Sequence, residues 1–202
     1  AQKYLLKIKN SNSVFILNKF LSDSLLIWSD VDNKDFFESQ TKINALDKRF
    51  ENLKSIETVF LHCFYKSKKT GNQFEKLISN KEVNFSRYNY FYSSYLVETR
   101  RVNKAKEVIE SSLELFPRNL LLNQQKIDLN SKRGKIDFNC QNKLHVVAEI
   151  FYITANALSS QSIFTFSNFY VNLAKYLNSD FYPFNTLIAE NFYNIDKLHQ
   201  AK

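Results

Sequence analysis

Apolar side chains recur at three- and four-residue steps along almost the whole chain. That period limits the fold more than any other feature, because it lays one stripe of each segment against a core as an α-helix does. Phe15, Leu17, Phe20, Leu21 and Leu25 form one stripe, Phe60 and Phe64 open another, and Val108, Leu113 and Leu115 belong to a third. Short polar clusters interrupt the pattern at 29–34, 66–72, 99–103, 117–119, 159–162 and 178–183. The stretches between them have the length of single helices, about 12 to 16 residues, so the sequence predicts helices joined by short turns, with neighbours packed antiparallel.

Composition agrees. Two glycines and two prolines leave little material for tight hairpins, a many-stranded sandwich or a glycine-rich phosphate loop. With 44% hydrophobic and 24% charged residues the chain is neither a disordered tail nor a disulfide-stapled miniprotein. Lys and Arg outnumber Asp and Glu 28 to 20, a net +8 that suits acidic partners, an anionic membrane surface or nucleic acid. The same wealth of Lys, Asn, Ile, Phe and Tyr is also what an AT-rich genome encodes, so the charge alone decides little. The longest apolar runs, such as Val14–Leu17 and Leu120–Leu122, fall far short of the roughly 20 residues a membrane helix needs. The chain begins at Ala1 and contains no Met, as expected of a processed product or a piece of a longer reading frame.

One window repeats. Numbered from Ser86, the stretch Ser86–Asn119 has small Ser93 at the eighth place, Leu96 at the eleventh and Ala105 at the twentieth. Ile109 stands at the twenty-fourth, small Ser112 at the twenty-seventh and Pro117 at the thirty-second. Small residues at the eighth and twentieth places let two helices of a hairpin approach, and the proline ends the second helix. The same frame fits Ala148–Phe181 without a gap, through Ala155, Leu158, Ser167, Val171 and Ala174, with Ser179 in place of the proline. A third window opens at Tyr182 with Ala189, Phe192 and Ala201, and the sequence stops inside its second helix.

These landmarks resemble the tetratricopeptide repeat (TPR) family. The C-terminal half is similar to TPR proteins of alphaproteobacteria through Ala148-Glu149, Tyr152, Ala155, Ala157-Leu158, Gln161, Leu173-Ala174, Tyr176-Leu177 and Asp180-Phe181. The resemblance implies an all-α fold, a right-handed superhelix (α-solenoid) of TPR-like helical hairpins spanning 1–202 as one unit. Its expected parts are degenerate repeats over 1–85, a TPR at 86–119, a helix plus insertion at 120–147, a TPR at 148–181 and a truncated TPR at 182–202. Within the insertion, Lys132-Arg133-Gly134-Lys135 and Asp137-Phe138-Asn139 read as a loop that breaks the superhelix.

The resemblance also implies a use. First helices of such arrays line a concave groove through fixed places of each repeat. Those places select Arg87, Tyr90, Ser94, Val97 and Glu98, then Tyr152 and Asn156, then Thr186, Glu190 and Tyr193, with Glu149, Ser159, Ser160, Pro183 and Asn194 beside them. A surface rich in Tyr and mixed polar groups suits an extended or helical peptide. The expected function is a non-catalytic protein–protein interaction scaffold, in a bacterial cytoplasm or periplasm, that binds a peptide or protein in this groove. The alternative from the residues themselves is a basic nucleic-acid-binding helical repeat. Lys66, Lys68 and Lys69, then Arg100, Arg101, Lys104 and Lys106, and Lys132, Arg133 and Lys135 would supply its phosphate contacts.

Other chemistry finds little footing. His145 and Glu149 stand four apart with Cys140 nearby, yet a structural metal site needs further ligands. Asp30, Asp32 and Asp35 lack the glycine of a calcium loop and read as a solvated turn and helix cap. Cys63 and Cys140 lack CxxC spacing, which argues against a zinc ribbon, a redox motif or a disulfide framework, and leaves two separate thiols. No nucleophile elbow surrounds either cysteine or any serine, so the expectation is no enzyme, no cofactor and no metal.

Overall fold

The computed structural model describes residues 16–131 and 137–201, and among them there are helices and turns but no strand. The helices are α1 (Ile16–Ser29), α2 (Phe36–Asn44), α3 (Glu51–Phe64), α4 (Thr70–Ser79), α5 (Ser86–Glu98), α6 (Val102–Leu115), α7 (Leu120–Ser131), α8 (Lys143–Ser159), α9 (Phe164–Leu177), α10 (Pro183–Asn194) and the short α11 (Leu198–Ala201). Two 3₁₀ turns, Val31–Asn33 and Lys48–Phe50, flank α2. The all-helical class read from the apolar period is the class observed. Of the inserted loop, 132–136 lies outside the described residues, and Asp137–Asn139 is non-helical.

One turn geometry recurs. Lys66, Arg100, Ser162 and Asp196 each sit in the left-handed region with φ of 51°, 60°, 61° and 58°. In each case the next residue's N–H donates to the carbonyl five positions back: Ser67 to His62, Arg101 to Leu96, Ile163 to Leu158, and Lys197 to Phe192, at 2.7–2.9 Å. This satisfies carbonyls that the end of a helix would otherwise leave open, and turns the chain into the next helix. Lys66 and Arg100 are 34 residues apart, and so are Ser162 and Asp196. Small residues follow at one place of this frame: Gly71, Ala105 and Ser167, all buried. Where Ser93 meets Ala105, both fully buried, the helices come close enough for the serine hydroxyl to reach the Ala105 carbonyl at 3.5 Å.

Chain contacts divide the molecule into two compact units, one of residues 1–50 with 142–202 and one of residues 51–141. In the unit 51–141, α3 to α7 pack in sequence order. Phe74 of α4 stacks on Tyr92 and Tyr95 of α5 at 5.2 and 5.6 Å, and Asn119, directly before α7, donates to Ser86 at the start of α5 at 3.0 Å. Cys63 at the end of α3 is bonded to Cys140, with Cα atoms 5.7 Å apart across 77 positions. The two cysteines are therefore not the separate thiols expected. The end of α3 meets the segment after α7 through tertiary packing, and no local spacing records that meeting.

In the other unit, α8, α9 and α10 follow one another, and α1 packs on α8 although more than a hundred residues separate them. Fully buried Phe20 and Trp28 of α1 belong to its core together with Val146, Ile150, Val171 and Ala174. The turn after α1 is fixed by charges. Asp35 accepts from the Glu38 N–H at 2.8 Å while Glu38 reaches back to the Asp35 N–H, a reciprocal cap of α2. Asp30 pairs with Lys42, and Asp32 with Lys143 at the start of α8. The three aspartates thus act as a helix cap and as ion-pair partners.

Asn191 of α10, fully buried, ties three helices of this unit together. Its amide donates to Ser167 and Asn168 of α9 at 2.7 and 2.8 Å, and its carbonyl oxygen accepts from Ser159 of α8 at 2.6 Å. A buried amide with its donors and acceptor engaged rewards one arrangement of the helices and penalises others.

Candidate partner-binding surface

The ten groove residues selected in the sequence fall into two sets, one in each unit. Arg87, Tyr90, Ser94, Val97 and Glu98 lie on α5 in the unit 51–141. Here the helix is enclosed on nearly all sides: Arg87, Tyr90 and Ser94 are buried, and Val97 and Glu98 half-buried. The Ser94 hydroxyl donates to the Tyr90 carbonyl at 3.0 Å, and the Arg87 guanidinium lies over the Phe91 ring at 5.3 Å. Burial, then the Asp137 charge, raises the Tyr90 phenol far above its ordinary range, so it stays neutral. Burial also raises the Glu98 carboxyl.

Part of the cover comes from the chain itself. Phe138, almost fully buried, stacks on Phe91 of α5 at 3.7 Å and tilts against Phe60 of α3 at 5.4 Å. Two residues on, Cys140 carries the disulfide to Cys63. The non-helical stretch that begins at Asp137 thus covers a ring of α5 and a ring of α3. The signal was faint in the sequence: a lone Phe and Cys inside what read as an inserted loop.

The second set is placed differently. Tyr152 and Asn156 lie on α8, and Thr186, Glu190 and Tyr193 on α10, in the unit containing 142–202. Asn156, Thr186, Glu190 and Tyr193 are exposed, and Tyr152 is half-buried with its ring 5.8 Å from that of Phe184. Thr186, Glu190 and Tyr193 follow at four- and three-residue steps and so share one face of α10. Glu190 and Tyr193 line a shallow depression of about 280 Å³ with Ala189 and Asn194. Tyr193 is 66% exposed, a large apolar ring with a free polar edge on a helix otherwise anchored from behind by Asn191.

No group of three or more His, Cys, Asp or Glu suited to a metal occurs among the described residues. His145 is half-buried and its imidazole is held below its ordinary pKa by burial, against a smaller opposing pull from Asp180; Cys140, its former candidate neighbour as a ligand, is in the disulfide. No described helix is long and apolar enough to cross a membrane. Comparisons with protein-family models, curated proteins and solved structures find nothing that matches the chain.

Proposed function

We propose that the chain is a non-catalytic, TPR-like interaction scaffold that recognises a protein or peptide partner, with the α8–α10 face as its principal seat. The observation that carries this reading is the joint placement of Asn156, Thr186, Glu190 and Tyr193 at the surface of two helices locked together by Ser159 and Asn191. The 34-residue recurrence of the left-handed turn supports it, because stacked helical hairpins present rows of side chains from equivalent helices to one ligand. An aromatic ring on a rigid helix loses little freedom on contact, and so anchors a partner at low entropic cost.

The test is capture of partners on the immobilised chain from lysate treated with nuclease, at moderate salt, beside Tyr193→Ala and Thr186→Arg variants. The reading expects a discrete protein retained by the wild type and depleted by both variants. Capture that disappears with nuclease would replace it by the nucleic-acid reading. A protein retained equally by all three forms would move the seat away from α10.

A further inference from the structure

Two turns of the unit 51–141 come together at one end of its helices. The stretch 65–73 holds Lys66, Lys68 and Lys69, the stretch 99–106 holds Arg100, Arg101, Lys104 and Lys106, and neither contains an Asp or Glu. Their adjacency is fixed at two points. The Arg101 guanidinium lies over Gly71, so that a methyl group placed there would stand 3.4 Å from its nitrogens, and Lys104 pairs with Glu75 of α4. Lys66, Lys68, Lys69, Arg100 and Arg101 are all exposed.

Of the acids beside these turns, Glu98 is half-buried at the end of α5 and Glu75 is already engaged. It accepts from Lys104 and from the Tyr92 hydroxyl, which hold its carboxyl below the usual range. Among the described residues Lys66, Lys68, Lys69 and Arg100 enter no ion pair. The positive ends of α4 and α6 emerge here as well, with Lys69 and Arg101 at their cap positions, no capping side chain and no acid in either first turn. Cations at that end of a helix oppose its dipole, so helix stability does not call for Lys69 there.

We propose that this ridge is a docking surface for an acidic polypeptide segment of the partner, a proposal that rests on the recognition reading above and names the chemistry of what is recognised. Exposed arginine forks and exposed lysines at two equivalent turns match carboxylates spaced along an extended chain. The ridge does not suit base stacking, because Arg101 covers the Tyr95 ring at 5.4 Å. It also lacks the aromatic wedge of a membrane-inserting surface: Val102 is the exposed apolar side chain within it.

The experiment measures binding of the whole chain to poly-glutamate, to poly-glutamine of equal length, to single-stranded RNA of equal charge and to anionic vesicles, across a salt series. Lys68→Glu with Arg100→Glu is compared with Lys81→Glu and Lys126→Glu, exposed lysines away from the two turns. Circular dichroism checks that each form is folded. The proposal expects poly-glutamate to bind more tightly than the other probes, and the ridge variant to weaken it at least about tenfold while the control pair changes it little. Equal binding of poly-glutamine, equal loss in the control pair, or tighter binding of RNA or vesicles overturns it. Each of these results leaves partner capture through Tyr193 standing, whereas loss of all protein capture in the earlier experiment overturns the recognition reading itself.

Discussion

The two units use the same hairpin turn and close their helices in different ways. In the unit 51–141 the rings of α3 and α5 are covered by Phe138, and a disulfide fastens that segment to α3. In the other unit a neutral side-chain amide, Asn191, holds α8, α9 and α10 from within, and Tyr193 and Glu190 stay outside. Side chains at equivalent places of the 34-residue frame therefore do opposite work: Tyr90 and Ser94 supply cohesion, while Thr186 and Glu190 remain available for contact. Repeat position says which helix face a residue occupies; what lies against that face decides its use.

The largest effect that can break this contrast is loss of the staple. Replacing Cys63 and Cys140 by serine removes a cross-link closing 77 residues, which the chain-entropy relation values at about 4.5 kcal/mol. Urea unfolding followed by tyrosine fluorescence should show that loss, and reductant should lower the wild type to the same level. Stability unchanged by either treatment would mean that Phe138 alone closes the unit.

Next in size is Asn191→Ala, which leaves the Ser159 and Ser167 hydroxyls without their buried partner and should cost about 2 kcal/mol. Hydrogen exchange should then rise in α8–α10. A rise of equal size in α5 would contradict the division into units.

Glu98 sharpens the comparison through pH. Burial raises its carboxyl in the folded state, so the native chain holds that proton more tightly than the unfolded one. The resulting penalty is absent below the unfolded value of about 4.3 and fully developed above the raised folded value. Glu98→Gln should therefore stabilise the chain at neutral pH, with the gain vanishing as pH falls into the acid range; a gain that persists there would assign it to something other than charge burial. The smallest effect is at the turns. Arg100→Gly removes the cost of a side chain in the left-handed region, and should gain up to about 1 kcal/mol by thermal unfolding.

Much of the fold was legible because helices are local. Polar clusters at 99–103 and 159–162 coincide with turns after α5 and α8, and the small landmarks Ser93, Ala105, Ala155 and Ser167 are buried where two helices approach. The packing of α1 on α8 and the Cys63–Cys140 bond were not legible, since each joins segments far apart in sequence and leaves no periodic trace. The candidate surface was half legible for the same reason. The frame picked side chains on first helices, but whether a distant segment covers them depends on tertiary contacts: it left Tyr193 exposed, and Tyr90 is buried. The basic turns were visible as separate clusters, whereas their convergence on one ridge required Arg101 to be found over Gly71.

The most direct measurement of the central claim is a tyrosine and carboxyl footprint of the chain, free and bound to its captured partner. The account predicts that Tyr193 and Glu190 react in the free chain and are protected in the complex, while Tyr90 and Tyr92 react in neither. Tyr193 equally reactive in both states, with protection arising elsewhere, would contradict it.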